Sequence, residues 1–456
     1  MNTVKTPTSI QEKRAGGPQP VAAFPLTPMQ HWFFGQELND AHHWNQAFLF
    51  NVSERLFPDA LRQALTAVVD HHAALRLRFT RRGQVWEQCF HPAHEDDILT
   101  IHDLSGHADA RLKREIERAC KVTQARLNFE FGPVIRATYL DCGDDRPGRL
   151  MVAVHHLCVD SASWSVFLED LESAYRQEVA HRPVILPRAP VNYTDYALAT
   201  CAWPQSASAE AELPVWQEIQ QQAAATPEAG PEGQEHGANS EGNAFTVTHA
   251  LSVAETALLE QSAAAVWHAD AGALLVAALA AVLTARSRQP VCSFTMNGSG
   301  RRLGLEGQDF SRSVGWFSCL YPVVVAVPVE ADAAALIKAA QEALARTPGD
   351  GSGFGALCCS DKGLALSNTE PGILFHYAGG DAAITGETTL FSIAPENTGA
   401  SRGAAADRKY AMEFTAMVKS GAMEIAITGG GYLHEPEELQ ALADEFCSVL
   451  RQLMVR

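Results

Sequence analysis

The chain is short of positive charge: 35 lysines and arginines stand against 53 aspartates and glutamates, a net −18 over 456 residues. That balance excludes nucleic acid as the main partner, because phosphate binding needs a basic surface. One basic cluster exists, Arg76, Arg78, Arg81 and Arg82 in LRLRFTRR. It reads either as a patch for an acidic protein or, by preference, as a solvated strand-and-turn surface. Paired cysteines are missing as well. The ten cysteines, at 89, 120, 142, 158, 201, 292, 319, 358, 359 and 447, include no CxxC. Neither a disulfide framework nor a metal site is expected, and reduced thiols in a cytoplasmic protein are. No apolar run is long enough to cross a bilayer. The longest, Ala271–Leu283, is alanine-rich and reads as a core helix, so no membrane association is expected. The start, MNTVKTPTSIQEKRAGGPQP, lacks the apolar core of a signal peptide.

What is present is enough apolar residue, 46%, to fill large cores, and a length that predicts two or three lobes. Residues 1–20 read as a disordered tail. Residues 21–205 alternate helix and strand signals. Helices are expected from Pro28, over Ala60–Ala74, over about Ala108–Leu127 and over Ser163–Val179. Strands are expected at Trp44–Val52, Leu75–Phe79, Ile98–His102, Val134–Leu140 and Leu150–Val154. Trp164, Phe167, Leu168, Leu171 and Tyr175 fall on one face of the Ser163 helix, and Ser161 or Ser163 is expected to cap it. Residues 206–243 read as a connecting helix and a linker, the clearest linker composition being PEAGPEGQEHGANSEGN at 227–243.

In residues 244–456 the alternation resumes. Ala244–Leu251 alternates as a strand, Ser252 and Glu255 form a capping-box signature, and Ala271–Ala285 is a buried helix. Strands are expected at Val291–Met296, Tyr321–Val329, Ile373–Tyr377, Ala411–Val418 and Met423–Thr428. A helix at Glu437–Met454 turns Leu439, Leu442, Phe446, Leu450 and Leu453 inward.

The most informative stretch is Arg149–Asp160, RLMVAVHHLCVD. A buried apolar strand ends in two histidines, with an aspartate four residues beyond the second. A strand end holds an imidazole rigidly with its edge toward a cavity, and histidine exchanges protons near neutral pH. Such a pair is equally often a hydrogen-bonded, half-buried feature.

In context, His155-His156-Leu157-Cys158-Val159-Asp160-Ser161 resembles the HHxxxDG core of the condensation superfamily of nonribosomal peptide synthetases. Further segments in the right order carry the resemblance: FPLTPMQHWFF (24–34), WNQAFLF (44–50), HHAALRLRF (71–79), WSVFLEDLESAY (164–175), SRSVGWFSCLYPV (311–323) and ILFHYAGG (373–380). The VGWF and FHYAG segments and the WSVFLEDLE continuation are more similar to epimerization domains than to peptide-bond-forming ones. The resemblance implies a mixed α/β (α+β) fold of two chloramphenicol-acetyltransferase-like lobes in a V. It also implies an interlobe tunnel that admits the phosphopantetheine arm of a carrier protein. It implies no cofactor held by the chain itself. Carrier proteins and other synthetase modules are the implied partners of a monomeric domain, stand-alone or excised from a larger enzyme.

The implied site comprises His155, His156, Asp160, Asn297, His376 and Tyr377. Ser161, Trp164, Ser299, Arg301 and Trp316 are expected along the tunnel, and Arg312 and Asp160 in structural roles. His156 is the expected acid/base, His155 a brace, Asp160 a buried salt-bridge or loop-bonding carboxylate, and Cys158 a small buried residue. Tyr377 is expected to donate a hydrogen bond to the substrate. Three positions depart from the family. Ser161 stands for glycine. Asn297, in NGSGR, stands for the glutamate expected on the face opposite the histidine, and an amide cannot ionise. His376 stands for asparagine, either facing the tunnel as a replacement acid/base or pointing into the fold. Three functions stay open: epimerization of a carrier-bound aminoacyl or peptidyl thioester, acyl transfer with His156 as base, and a non-catalytic docking module.

Overall fold

The computed structural model describes residues 23–92, 97–226, 239–301, 303, 307–364, 366, 370–380 and 384–454. The expected tail, and the expected linker up to residue 238, lie outside the described residues. Among the described strands the first half holds β1 (Asn45–Val52), β2 (Leu77–Arg82), β3 (Val85–Phe90), β4 (Leu99–Asp103), β5 (Ile135–Asp141) and β6 (Gly148–His155). The second half holds β7 (Ala244–Ala250), β8 (Val291–Ser299), β9 (Ser318–Ala326), β10 (Ile373–Gly380), β11 (Phe391–Ile393), β12 (Met412–Lys419) and β13 (Ala422–Gly430).

These strands build two large sheets. The first runs β11-β1-β6-β5-β4, and the second runs β7-β13-β12-β10-β8-β9. Strands β2 and β3 form a separate antiparallel ribbon. In β6 the residues alternate between two cores. Leu150, Val152 and Val154 pack with the helices Pro58–His71 and Ser163–Val179, while Met151 and Ala153 pack under Asp109–Gln124. Burial on both faces is why this strand reads as one apolar run. The second sheet covers one face with the helices Ala271–Ser287 and Pro436–Met454. Its other face turns toward the first core, against which Leu374 and Met417 pack.

Several expectations are corrected. Neither Ser161 nor Ser163 caps the Ser163 helix. Ala162 occupies the N-cap without a side-chain bond, and the Ser163 N–H donates to Asp160 Oδ1 at 3.0 Å. The Leu75 strand begins two residues later, after a 3-10 turn at Ala73–Arg76. The arginine cluster is not one solvated surface, because Arg78 is buried and Arg76 donates to the carbonyls of Val69 and His91. The short strand β11, unpredicted, comes from the second half of the chain yet pairs with β1. The helices Tyr193–Ala202 and Ala333–Arg346 were also not foreseen. The capping box at Ser252 and Glu255 is present. No described helix is long and apolar enough to cross a membrane.

Candidate active site

At the end of β6 the two histidines part company. His155 is fully buried, pairs in register with Asn45, and packs edge-on against Phe33 and Phe129. Its Nε2 donates to the Ala41 carbonyl at 2.9 Å and its Nδ1 accepts from the Leu157 N–H at 3.3 Å. Burial pushes its pKa down to about 3. A neutral ring with both nitrogens engaged is a brace.

His156 opens the 3-10 turn His156–Cys158, its backbone N–H held by the Trp44 carbonyl at 2.8 Å. The Gln46 amide nitrogen lies 3.1 Å from its Nε2, and its Nδ1 is buried with no hydrogen-bond partner. The ring lies against Trp316, with centroids 4.7 Å apart. Burial lowers its pKa to about 4, assisted by the charges of Arg402 and His376, with its own backbone and Asp160 acting the other way. At neutral pH the ring is therefore unprotonated and able to accept a proton.

Asp160 faces away from that chemistry. Oδ1 accepts from the Ser163 N–H, from Ser163 Oγ at 2.6 Å and from Arg301 Nη2 at 2.7 Å, and Oδ2 accepts from the Phe317 N–H at 3.2 Å. Arg301 also donates to the Phe310 and Ser313 carbonyls and stacks 4.5 Å over Phe317. The pair ties the histidine loop to the second half of the chain, which accounts for both residues more fully than a place along a tunnel does for Arg301. Arg312 does similar work, reaching Glu169 and Asp170 on the Ser163 helix.

The second sheet supplies the opposite wall. Asn297 on β8 pairs with His376 on β10, which pairs with Thr415 on β12. Side chains alternate along a strand, so this row shares the face of Leu374 and Met417, the one turned toward the first core. Tyr377 therefore points the other way. It packs with the second core and feels the charges of Glu260 and Asp270. Its expected hydrogen bond to a substrate on the His156 side is corrected by this alternation. Burial lowers the His376 pKa to about 4, opposed by Glu413. Glu413 is largely buried, yet Arg402 and Arg408 outweigh that burial and keep its carboxylate charged below the usual range. Arg402 in turn lies 4.5 Å over Trp44 of the first half.

Of the remaining tunnel candidates, Trp316 is the one that touches His156. Trp164 is fully buried behind it and donates to Gln46 Oε1 at 2.7 Å. Ser299 is exposed at the end of β8. Ser161 is half-buried and is absent from the left-handed backbone positions, so the loop needs no glycine there. Cys158 is fully buried, and burial raises its thiol pKa far beyond a nucleophile's range. Gln46, Arg402 and Glu413 were passed over in the sequence. Gln46 and Glu413 are polar or charged residues inside apolar strands, which is the signal that marks them, whereas Arg402 lies in the loop before β12.

A cavity of about 360 Å³ lies between the helix Pro28–Phe34 and the second sheet, lined among others by Met29, Trp32, Gln36, Thr295 and Leu320. Thr295 stands two residues from Asn297 on the same face. Trp32 Nε1, Gln36 Oε1 and Gln220 Oε1 are buried polar atoms of cavity residues that have no partner. Among the described residues one group has metal-ligand geometry, His71, His72 and Asp170. Its atoms are already engaged: Asp170 bonds His72 and Arg312, and His71 bonds the Pro187 carbonyl.

A family model described as Condensation domain matches residues 22–456. The chain is 33% identical over 437 residues to chondramide synthase from Chondromyces crocatus, covering 94% of this chain and 11% of that protein. It is 32% identical to a component of the linear gramicidin synthase from Brevibacillus parabrevis, over 94% of this chain and 6% of that protein. The chain thus spans a small part of the length of the curated relatives it matches. Among solved structures, the epimerization domain from the third module of tyrocidine synthetase B superposes with a TM-score of 0.85 at 26% identity. That match covers 97% of this chain and 98% of that domain. The expected fold, two acetyltransferase-like lobes of mixed α and β structure, holds.

Proposed function

The chain belongs to the condensation-domain family of nonribosomal peptide synthetases, and from that premise we propose that it is an epimerization-type domain acting on a carrier-bound aminoacyl or peptidyl thioester. The observation that carries the reading is the pairing of two imidazoles across the lobe junction. His156 projects from the end of the first sheet, His376 lies on the face of the second that turns toward the first core, and the charge of His376 helps to lower the His156 pKa. Inversion at an α-carbon needs a proton acceptor on one face and a donor on the other. A thioester acidifies the α-proton, and hydrogen-bond donors must stabilise the enolate. His156 takes the proton, Asn297 donates to the enolate oxygen, and His376, neutral at rest, takes up a proton from solvent and returns it to the opposite face. The carboxylate of Glu413 favours protonation of His376 against the burial that lowers its pKa. The cavity beside Thr295, with its unpartnered indole N–H and two amide oxygens, suits an arm containing amides, such as phosphopantetheine.

Acyl transfer with His156 as base is the second reading, favoured by the loss of an ionisable group at Asn297. The two separate in deuterated water with an aminoacyl or peptidyl carrier protein as substrate. Epimerization gives deuterium at the α-carbon and a mixture of configurations. A new amide or ester without deuterium at that carbon establishes transfer instead.

A further inference from the structure

We infer that Gln46 is a positioning residue that holds neutral His156 with its proton on Nδ1, so that Nε2 is the proton-accepting atom. Trp164 fixes the orientation of the amide. An indole N–H donates and never accepts, so the Gln46 atom 2.7 Å from Trp164 Nε1 is the carbonyl oxygen. The other end of the amide, its NH2 group, then lies 3.1 Å from His156 Nε2. An amide NH2 only donates, so Nε2 must present its lone pair. A neutral imidazole has a single N–H, which is therefore on Nδ1, the buried atom without a partner. The chain of contacts is rigid at both ends. Trp164 is fully buried and packs edge-on against Phe48, with centroids 4.7 Å apart. Strand β1 holds Gln46 beside β6, one residue from the Asn45–His155 pair.

This assignment rests on the reading of His156 as the proton-handling group. In the reaction the α C–H bond breaks, its electron pair enters the enolate, and its proton goes to Nε2 as the Gln46 N–H gives way. The product is an imidazolium protonated on both nitrogens, and the reverse step restores the Nδ1–H form.

Nitrogen-15 NMR of histidine-labelled protein at pH 7, without substrate, reads the tautomer directly. Wild type is expected to carry the proton on Nδ1. In Gln46→Glu a carboxylate accepts from both Trp164 and the imidazole, so the proton is expected to move to Nε2. In Trp164→Phe the amide loses the donor that fixes its orientation, and a mixture of tautomers is expected. With carrier-bound substrate, Gln46→Glu is expected to lower kcat for α-deuterium exchange by about tenfold or more with KM little changed. An Nε2–H tautomer in wild type overturns the proposal, as does a tautomer that ignores both variants. If the tautomers follow expectation while wild type exchanges no α-proton, the positioning stands and the epimerization reading falls.

Discussion

Asn297 and His376 sit side by side on neighbouring strands, and Glu413 shares their face of the sheet. The amide at 297 can stabilise negative charge but cannot carry a proton to carbon. Asn297→Glu sets a carboxylate beside His376, and a carboxylate there favours the protonated imidazole. Solvent-deuterium incorporation at the α-carbon is expected to rise by about tenfold; an unchanged or lower rate means that the wall is not arranged for proton delivery. The histidines also set a dependence of stability on pH. His155 falls to about 3, and His156 and His376 to about 4, from an ordinary 6.5. Between 6.5 and these values the unfolded chain binds protons that the folded chain does not, so stability drops as pH falls. Thermal unfolding should show Tm declining steadily from pH 7 to pH 5. A Tm flat across that window contradicts the desolvated, neutral state of the three rings.

Between elements, the bond from the histidine loop to the strand β8 end is carried by Asp160 and Arg301, with exposures of 9% and 15%. Removing one partner of a buried pair leaves an uncompensated charge, at a cost of about 3 kcal/mol. Arg301→Ala should therefore lower the denaturant midpoint without changing the slope, and a variant as stable as wild type would show the pair to be dispensable. The strands and helices that position this pair were largely legible in the sequence, because β6, the Ser163 helix and the C-terminal helix each carry long, regular apolar patterns. Strand β11 was not, since three residues pairing with a distant edge leave no periodic trace. Within β10 the period of two was legible, but its phase was not. The sequence leaves open which of His376 and Tyr377 faces the junction, and packing against the two cores puts His376 on the junction face and Tyr377 against the second core. Glu413 gives an ambiguous sequence signal because a lone charge in a strand also looks like a solvated edge, and Arg402 gives none because it sits in an irregular loop whose packing over Trp44 joins distant parts of the chain.

For the whole molecule, the two halves are interlocked rather than merely adjacent. Strand β11 completes the sheet that bears His156, Arg301 and Arg312 bind carboxylates of the first half, and Arg402 bridges Trp44 and Glu413. A proton chemistry that uses one group from each half needs this arrangement, because neither imidazole reaches both faces of a carbon. In the proposed reaction His156 and His376 serve opposite faces of one α-carbon. The direct measurement is loss of the α-hydrogen to deuterated solvent from substrates of known L and D configuration on a carrier protein, compared among wild type, His156→Ala and His376→Asn. Exchange from both configurations is expected in wild type. Each variant should lose exchange from one configuration, a different one in each case, by about a hundredfold or more. Exchange that survives undiminished in either variant, or that is absent from wild type with both substrates, contradicts that assignment of faces.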